Sequence, residues 1–289
     1  MNKVAIMTDS VAAVPREIAK QYGIAVIPFH VIMDGKSYIE TELDEDQFYA
    51  RLRGKESLPT TSAPSAGEFL QSYEELSQRA ESILYISMTS SFTMAYGTAI
   101  QAKEIACKEL PKTTIEVIDS QTVTSSEMLI VLEAARAAAE GKNLSEVMQL
   151  VNSMVPKMNH LSTRDTLFYL DKGGRVFEAK SWAEAELLNS FRAIVEIDAS
   201  TRGITMPVAR AKTKTQIMKK MVDIARERAG GKKLHAAIAH VNAPEGAEQL
   251  KQMVLAQFRC NEFYVVDASP VVATHNGEGL IEFGFYSSD

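Results

Sequence analysis

Cysteine, long apolar runs and positive charge are all scarce in these 289 residues. Cys107 and Cys260 are the only thiols and lie far apart in sequence, which fits reduced thiols in a cytoplasm rather than a disulfide framework. No CxxC or HExxH spacing occurs, so no zinc site and no other metal centre is indicated. No window reaches the ~18–20 uninterrupted apolar residues of a membrane helix. The opening KVAIMT reads as a strand and not as a signal peptide; a cytoplasmic location without stable membrane insertion is expected. Lys and Arg total 31 against 37 Asp and Glu, a net charge of −6. That balance argues against a general nucleic-acid binder, which shows a basic face. GxSxG and the Walker-type GxxxxGKS/T are also missing, leaving no hydrolase elbow and no P-loop.

What remains is an ordinary globular composition, 46% hydrophobic and 24% charged with a mean hydropathy of −0.09, on a chain long enough for two compact domains. The first half alternates β-rich runs with helical patterns. KVAIMT precedes DSVAAVPREIAKQYG, where Pro15 suits a first helical turn and Gly23 a stop. IAVIPFHVIM is a second apolar run, ended by the turn signal Asp34–Gly35. ILYISM precedes a helical run from Met94 to Glu109, and TIEVID precedes SSEMLIVLEAARAAAEGK, which Gly141 can end. Such alternation implies a helix-covered parallel sheet. Beyond Pro156 come the closer-spaced LSTRDTLFYL, AIVEIDA, GITMPVARA, HAAIAHV and EFYVVDA, with helical stretches at Trp182–Phe191 and Thr213–Ala229. Close spacing implies a mixed or antiparallel sheet. The expected fold class is α/β in two domains, residues 1–155 with a parallel sheet and residues 156–289 with a mixed or antiparallel sheet. The ligand site is expected between them.

In an open α/β sheet, ligands bind beyond the carboxyl ends of the strands. The residues there are Thr8, Asp9 and Ser10, then Thr89, Ser90, Ser91 and Thr93, then Asp119, Ser120, Gln121 and Thr122. Each is suited to capping a helix; together with the proline-held hydroxyls of LPTTSAPS (Leu58 to Ser65) they also suit a polar pocket for carboxylate or phosphate oxygens. In YLDKGGRV, paired glycines permit a tight turn that presents Arg175, and a plain hairpin turn is the other reading. In VATHNGEG, His275 can donate to an anion or carry a proton, or be structural. The thirteen methionines fit core filling as well as a pocket for a flexible chain.

Six segments in order resemble the DegV family of bacterial fatty-acid-binding proteins. TDSVAAVP is similar to its opening TDS motif, and LPTTSAPS to its PTTSQPS segment. MTSSFTMAYGTA is similar to SSGLSGTYQSA, and IEVIDSQTV to a VIDS strand end. YLDKGGRV is similar to YLxxGGRI, and VATHNGEG to GTHxGPG. The resemblance implies a two-domain carrier that holds a long-chain fatty acid, its only bound cofactor-like group, with the acyl chain in an apolar tunnel. It implies no catalysis by the protein itself: the bound acid is presented to a separate ATP-dependent fatty acid kinase, and the acyl phosphate passes toward phospholipid synthesis. Thr61, Thr93 and His275 are implied as the carboxylate-binding residues. Arg210, Arg175, Met94 and Ser62 are implied in the head-group or phosphate neighbourhood. A monomer is the default. Met94 in place of glycine, Ala63 in place of glutamine and Glu278 in place of proline are departures. They leave open a smaller carboxylated or phosphorylated metabolite in the same pocket.

Overall fold

The parallel sheet of the first half forms because its strands are separated by helices long enough to return the chain to the starting edge. In the computed structural model, which describes residues 2–54 and 57–288, this sheet runs in the order β2 (Ala25–Ile27), β1 (Asn2–Asp9), β6 (Ala80–Ser87), β7 (Thr114–Asp119), with every pairing parallel. The run IAVIPFHVIM is not one strand. Pro28 cannot donate to a ladder, and the chain divides there into β2 and β3 (His30–Met33), which join different sheets. β3 forms a small antiparallel sheet with β4 (Lys36–Ile39) and β5 (Thr60–Ser62). Asp34 and Gly35 make its turn, both at positive φ, 51° and 75°, as a two-residue hairpin demands.

The second half builds a six-stranded mixed sheet in the order β10 (Met206–Ala211), β9 (Arg192–Glu196), β8 (Asn159–Thr163), β13 (Ile281–Ser288), β11 (Lys233–His240), β12 (Cys260–Asp267). Only β11 and β12 pair in parallel. LSTRDTLFYL is strand only to Thr163, and its second half is the helix Phe168–Lys172. The stretch Trp182–Phe191 is helical only as far as Glu186, in Lys180–Glu186. Two further helices, Pro244–Leu255 and Pro270–Asn276, and the central strand β13 lay outside the sequence reading.

One helix ties the two sheets together. Thr124–Ala139 buries twelve of its sixteen residues and packs on β1 from one side and on β11 and β13 from the other. Apart from Glu127, Glu133 and Arg136 its sequence is apolar or small, as a helix covered on most of its faces must be. At β13 the fit is close: a Cβ at Gly284 would come 2.6 Å from the Ser126 nitrogen. No helix among the described residues is long and apolar enough to cross a membrane.

Candidate functional site

Most of the hydroxyls at the strand ends are spent on structure. Buried Asp9 accepts from the backbone N–H of Val11 and Met88 and from the Tyr85 hydroxyl, all at 3.1 Å, so it fastens the end of β1 to the end of β6. Burial outweighs these donors and raises its pKa to about 6. Thr8 donates to the fully buried Glu127 at 3.2 Å, whose pKa burial and Asp9 together push well up. Thr89 and Thr122 donate to the Gly203 and Ile197 carbonyls at 3.1 and 2.8 Å, docking the second half of the chain onto the strand ends. Asp119 caps Ser90 and Gln121. Of this set, Thr93 alone reaches the cavity.

That cavity, of about 300 Å³, lies between the halves. Val11, Phe29, Met88 and Val123 from the first half and Leu170, Ile197 and Val271 from the second give it largely apolar walls. Thr61, Ser62, Thr93, Met94, Arg175 and His275 all line it, so six of the seven site residues read from the sequence are brought together. Arg210 is not among them. Its guanidinium lies over Trp182 and Phe191, 4.7 and 5.2 Å from the ring centroids, and the residue is exposed.

Each motif contributes differently. LPTTSAPS forms β5, whose pairing with β3 sets Thr61 opposite Val31, and Ser65 then starts the helix Ala66–Ser77 through a reciprocal capping box with Glu68. Thr61 Oγ1 lies 2.8 Å from His275 Nε2. Gly173 is needed because a Cβ there would overlap His275 Nδ1; Gly174, at φ 70°, then turns the chain. The turn places Arg175, whose Nε and Nη2 donate to the Phe92 carbonyl at 3.2 and 3.0 Å and whose Nη1 donates to the Gly173 carbonyl. No carboxylate among the described residues pairs with this guanidinium, and burial lowers its pKa. Thr93 Oγ1 accepts from the Ala95 N–H at 3.2 Å, which leaves its own proton free to donate. Met94 is 74% exposed at the rim, so it does not fill the cavity. Glu278 turns away to Arg53 at 2.6 Å and Asn242 at 3.0 Å, and adds no charge beside His275.

His275 is a neutral ring here. Burial and the Arg175 charge lower its pKa to about 3, so the cation of the site is Arg175. A second cavity of about 230 Å³, lined by Leu58, Lys172 and Gly173 among others, shares Thr61, Arg175 and His275 with the first. Those three side chains therefore form a partition reachable from two sides.

Sequence reasoning missed Thr124 and Glu282, both buried and both on the cavity wall. Thr124 opens the central helix at φ 43°, a strained value for a β-branched residue that costs ~1–3 kcal/mol. Glu282 lies in β13, which the sequence reading did not reach and which is buried on both faces over Ile281–Tyr286.

A family model described as an uncharacterised protein, DegV family, matches residues 3–288. The chain belongs to the DegV family. A DegV domain-containing protein of Caldanaerobacter subterraneus is 30% identical over 283 residues, 96% of each chain. Among solved structures, a DegV family protein of Thermus thermophilus described as fatty-acid binding superposes with a TM-score of 0.90 at 24% identity, covering 100% of both chains. DegV of Bacillus subtilis, described as a fatty acid binding protein, gives 0.85 at 26% identity with the same coverage. The α/β architecture, parallel in the first sheet and mixed in the second, is the DegV fold.

Proposed function

We propose that this DegV protein binds a long-chain fatty acid, with the carboxylate against Thr61, Thr93, His275 and Arg175 and the acyl chain along the apolar walls. One observation carries the reading: a largely apolar cavity ends at a guanidinium that no carboxylate among the described residues neutralises. The half-buried Arg175 guanidinium donates only to the neutral Phe92 and Gly173 carbonyls, and a ligand carboxylate would supply its charge partner through charge-assisted hydrogen bonds. Each buried methylene adds ~0.8 kcal/mol, so affinity comes mainly from the chain and orientation from the head. The fatty-acid binding described for the Bacillus subtilis protein supports the same ligand class.

The finer reading is that the protein is a carrier and not a catalyst. The Thr61–His275–Arg175 partition faces a second cavity, which would let a separate ATP-dependent kinase phosphorylate the carboxylate without removal of the chain. Arg175 would then meet the added charge of the acyl phosphate before it moves on to phospholipid synthesis. A second reading, a smaller carboxylated or phosphorylated metabolite, is favoured by a volume at the low end for ligand pockets.

Native mass spectrometry of freshly purified protein, followed by organic extraction, tests the ligand class. A retained long-chain acid, or saturable uptake of one, is expected. A clean apo mass with no uptake of added fatty acids refutes the reading, and uptake of a small acid alone establishes the second.

A further inference from the structure

Glu282 is the one carboxylate among the described residues on the wall of the cavity. Strand alternation explains its direction. Ile281, Phe283 and Phe285 face the core under the second sheet's helices, so Glu282 and Gly284 share the opposite face. Gly284 lies hard against Ser126 of the central helix, and two residues earlier the same face opens into the cavity. The residue is 2% exposed, and Oε2 accepts no hydrogen bond from the protein. Oε1 lies 3.6 Å from Nε2 of His160, an atom equally without a partner. Arg164, fully buried, acts on Glu282 through space rather than by a direct bond. Glu282 does not line the outer cavity, and its neighbours belong to the second sheet rather than to the Thr61–His275 partition.

A plain acyl chain cannot satisfy this oxygen, and a buried acceptor left without a donor penalises whatever is packed on it. We propose that Glu282 forms a second polar subsite, which selects a fatty acid carrying a hydroxyl along its chain over the unsubstituted acid. The ligand hydroxyl donates to the Glu282 carboxylate, while Thr124 adds a further hydroxyl to the cavity wall. The inference rests on fatty-acid binding as proposed above and names the subclass.

The test measures dissociation constants of the delipidated full-length protein for stearic acid and for hydroxystearic acids substituted at successive chain positions. Wild type, Glu282→Gln and Glu282→Leu are compared. At least one hydroxylated acid should bind wild type about ten- to hundred-fold more tightly than stearic acid. Glu282→Gln keeps an acceptor of the same shape and should keep most of the preference, and Glu282→Leu should abolish or reverse it. Should the leucine variant fail to fold beside Arg164, the wild-type discrimination decides alone. Equal affinity of wild type for stearic and every hydroxystearic acid overturns the subsite, as does a preference that survives in Glu282→Leu; both leave fatty-acid binding standing. Binding of none of these acids removes the proposed function and the subsite with it.

Discussion

Replacing Gly173 with alanine tests whether the glycine pair exists to seat His275. The backbone at Gly173 has φ −77° and ψ −6°, where alanine is fully allowed, so strain in the chain is not the issue. The new methyl would overlap His275 Nδ1, and would lie 3.2 Å from Cε1 and 3.1 Å from the Tyr169 carbonyl oxygen. Backbone cannot yield cheaply, so the imidazole must. Overpacking of this kind costs ~1–3 kcal/mol, and loss of the 2.8 Å bond to Thr61 adds about 1 kcal/mol. The lower unfolded-state entropy of alanine returns roughly 0.4–1 kcal/mol. A net loss of ~1–3 kcal/mol lowers the thermal midpoint by about 2–5 °C for a chain of this size. Gly174→Ala is the control. Its φ of 70° strains alanine by about 1–2 kcal/mol, but nothing lies within 4 Å of its Cβ. Both variants should melt earlier by calorimetry, yet only Gly173→Ala should lose fatty-acid affinity in titration calorimetry, by about tenfold. Wild-type melting and affinity in Gly173→Ala, or equal loss of affinity in both, would refute the reasoning.

Thr61→Val keeps the shape of β5 and removes the hydroxyl; long-chain acid affinity should fall about tenfold with a stability change near 1 kcal/mol, and an unchanged Kd in titration calorimetry excludes Thr61 as a head-group contact. Arg175→Met should weaken binding of a fatty acid about ten- to hundred-fold while leaving its methyl ester unaffected, so equal losses for acid and ester count against a charge contact. The His275 ring, lowered to about 3 by burial and Arg175, should stay neutral from pH 5 to 8 in nitrogen-detected NMR, and a midpoint near 6.5 contradicts the site electrostatics. Because its folded pKa lies below the unfolded one, its contribution is complete above pH 6.5 and fades as pH falls toward 3. Asp9 and Glu40 run the other way: raised by burial to about 6 and 7, they stabilise below their ordinary values and lose that contribution as pH rises through those points. The melting temperature should therefore fall between pH 5 and 7, and Glu40→Gln should flatten the profile; identical profiles for wild type and variant would remove Glu40 from the account.

The α/β class and most strands and helices of the first half are legible because periodicity, caps and turn residues act locally. Ser65, Gly23 and Asp34–Gly35 end or begin elements where their chemistry says they must. The partition of IAVIPFHVIM between two sheets is not legible, since a proline marks a break but not where each piece pairs. Arg210 is implied near the head group only by the family resemblance, whereas β10 is an edge strand whose side chain there turns to Trp182 and Phe191. The burial of Glu40, Glu127 and Glu282 is not legible either. Each is buried by an element distant in sequence: Glu40 accepts from the Val271 N–H, Glu127 from Thr8, and Glu282 lies between β8 and β11.

The short motifs behave as parts that fit one another before they fit a ligand. Gly173 makes room for the His275 ring, and Gly277, two residues after that histidine, makes room for the Tyr169 ring at the head of the same YLDKGGRV segment. Gly203 lies so close to Thr89 that its Cβ would overlap the hydroxyl, while Thr89 in turn donates to the Gly203 carbonyl. Asp9 of the opening motif holds the backbone of Val11 and Met88, and both of those side chains then line the cavity. A glycine in one segment is thus matched to a side chain in another, and neither residue has a reason to be what it is without its partner. This is why single motifs are weak evidence while six in order are strong. It also separates two kinds of position. A change such as Met94 at the rim, where no partner segment closes over the residue, alters the surface alone. Glu282 stands where the second sheet, the central helix and the cavity converge, with Oε2 unbonded by any other described residue.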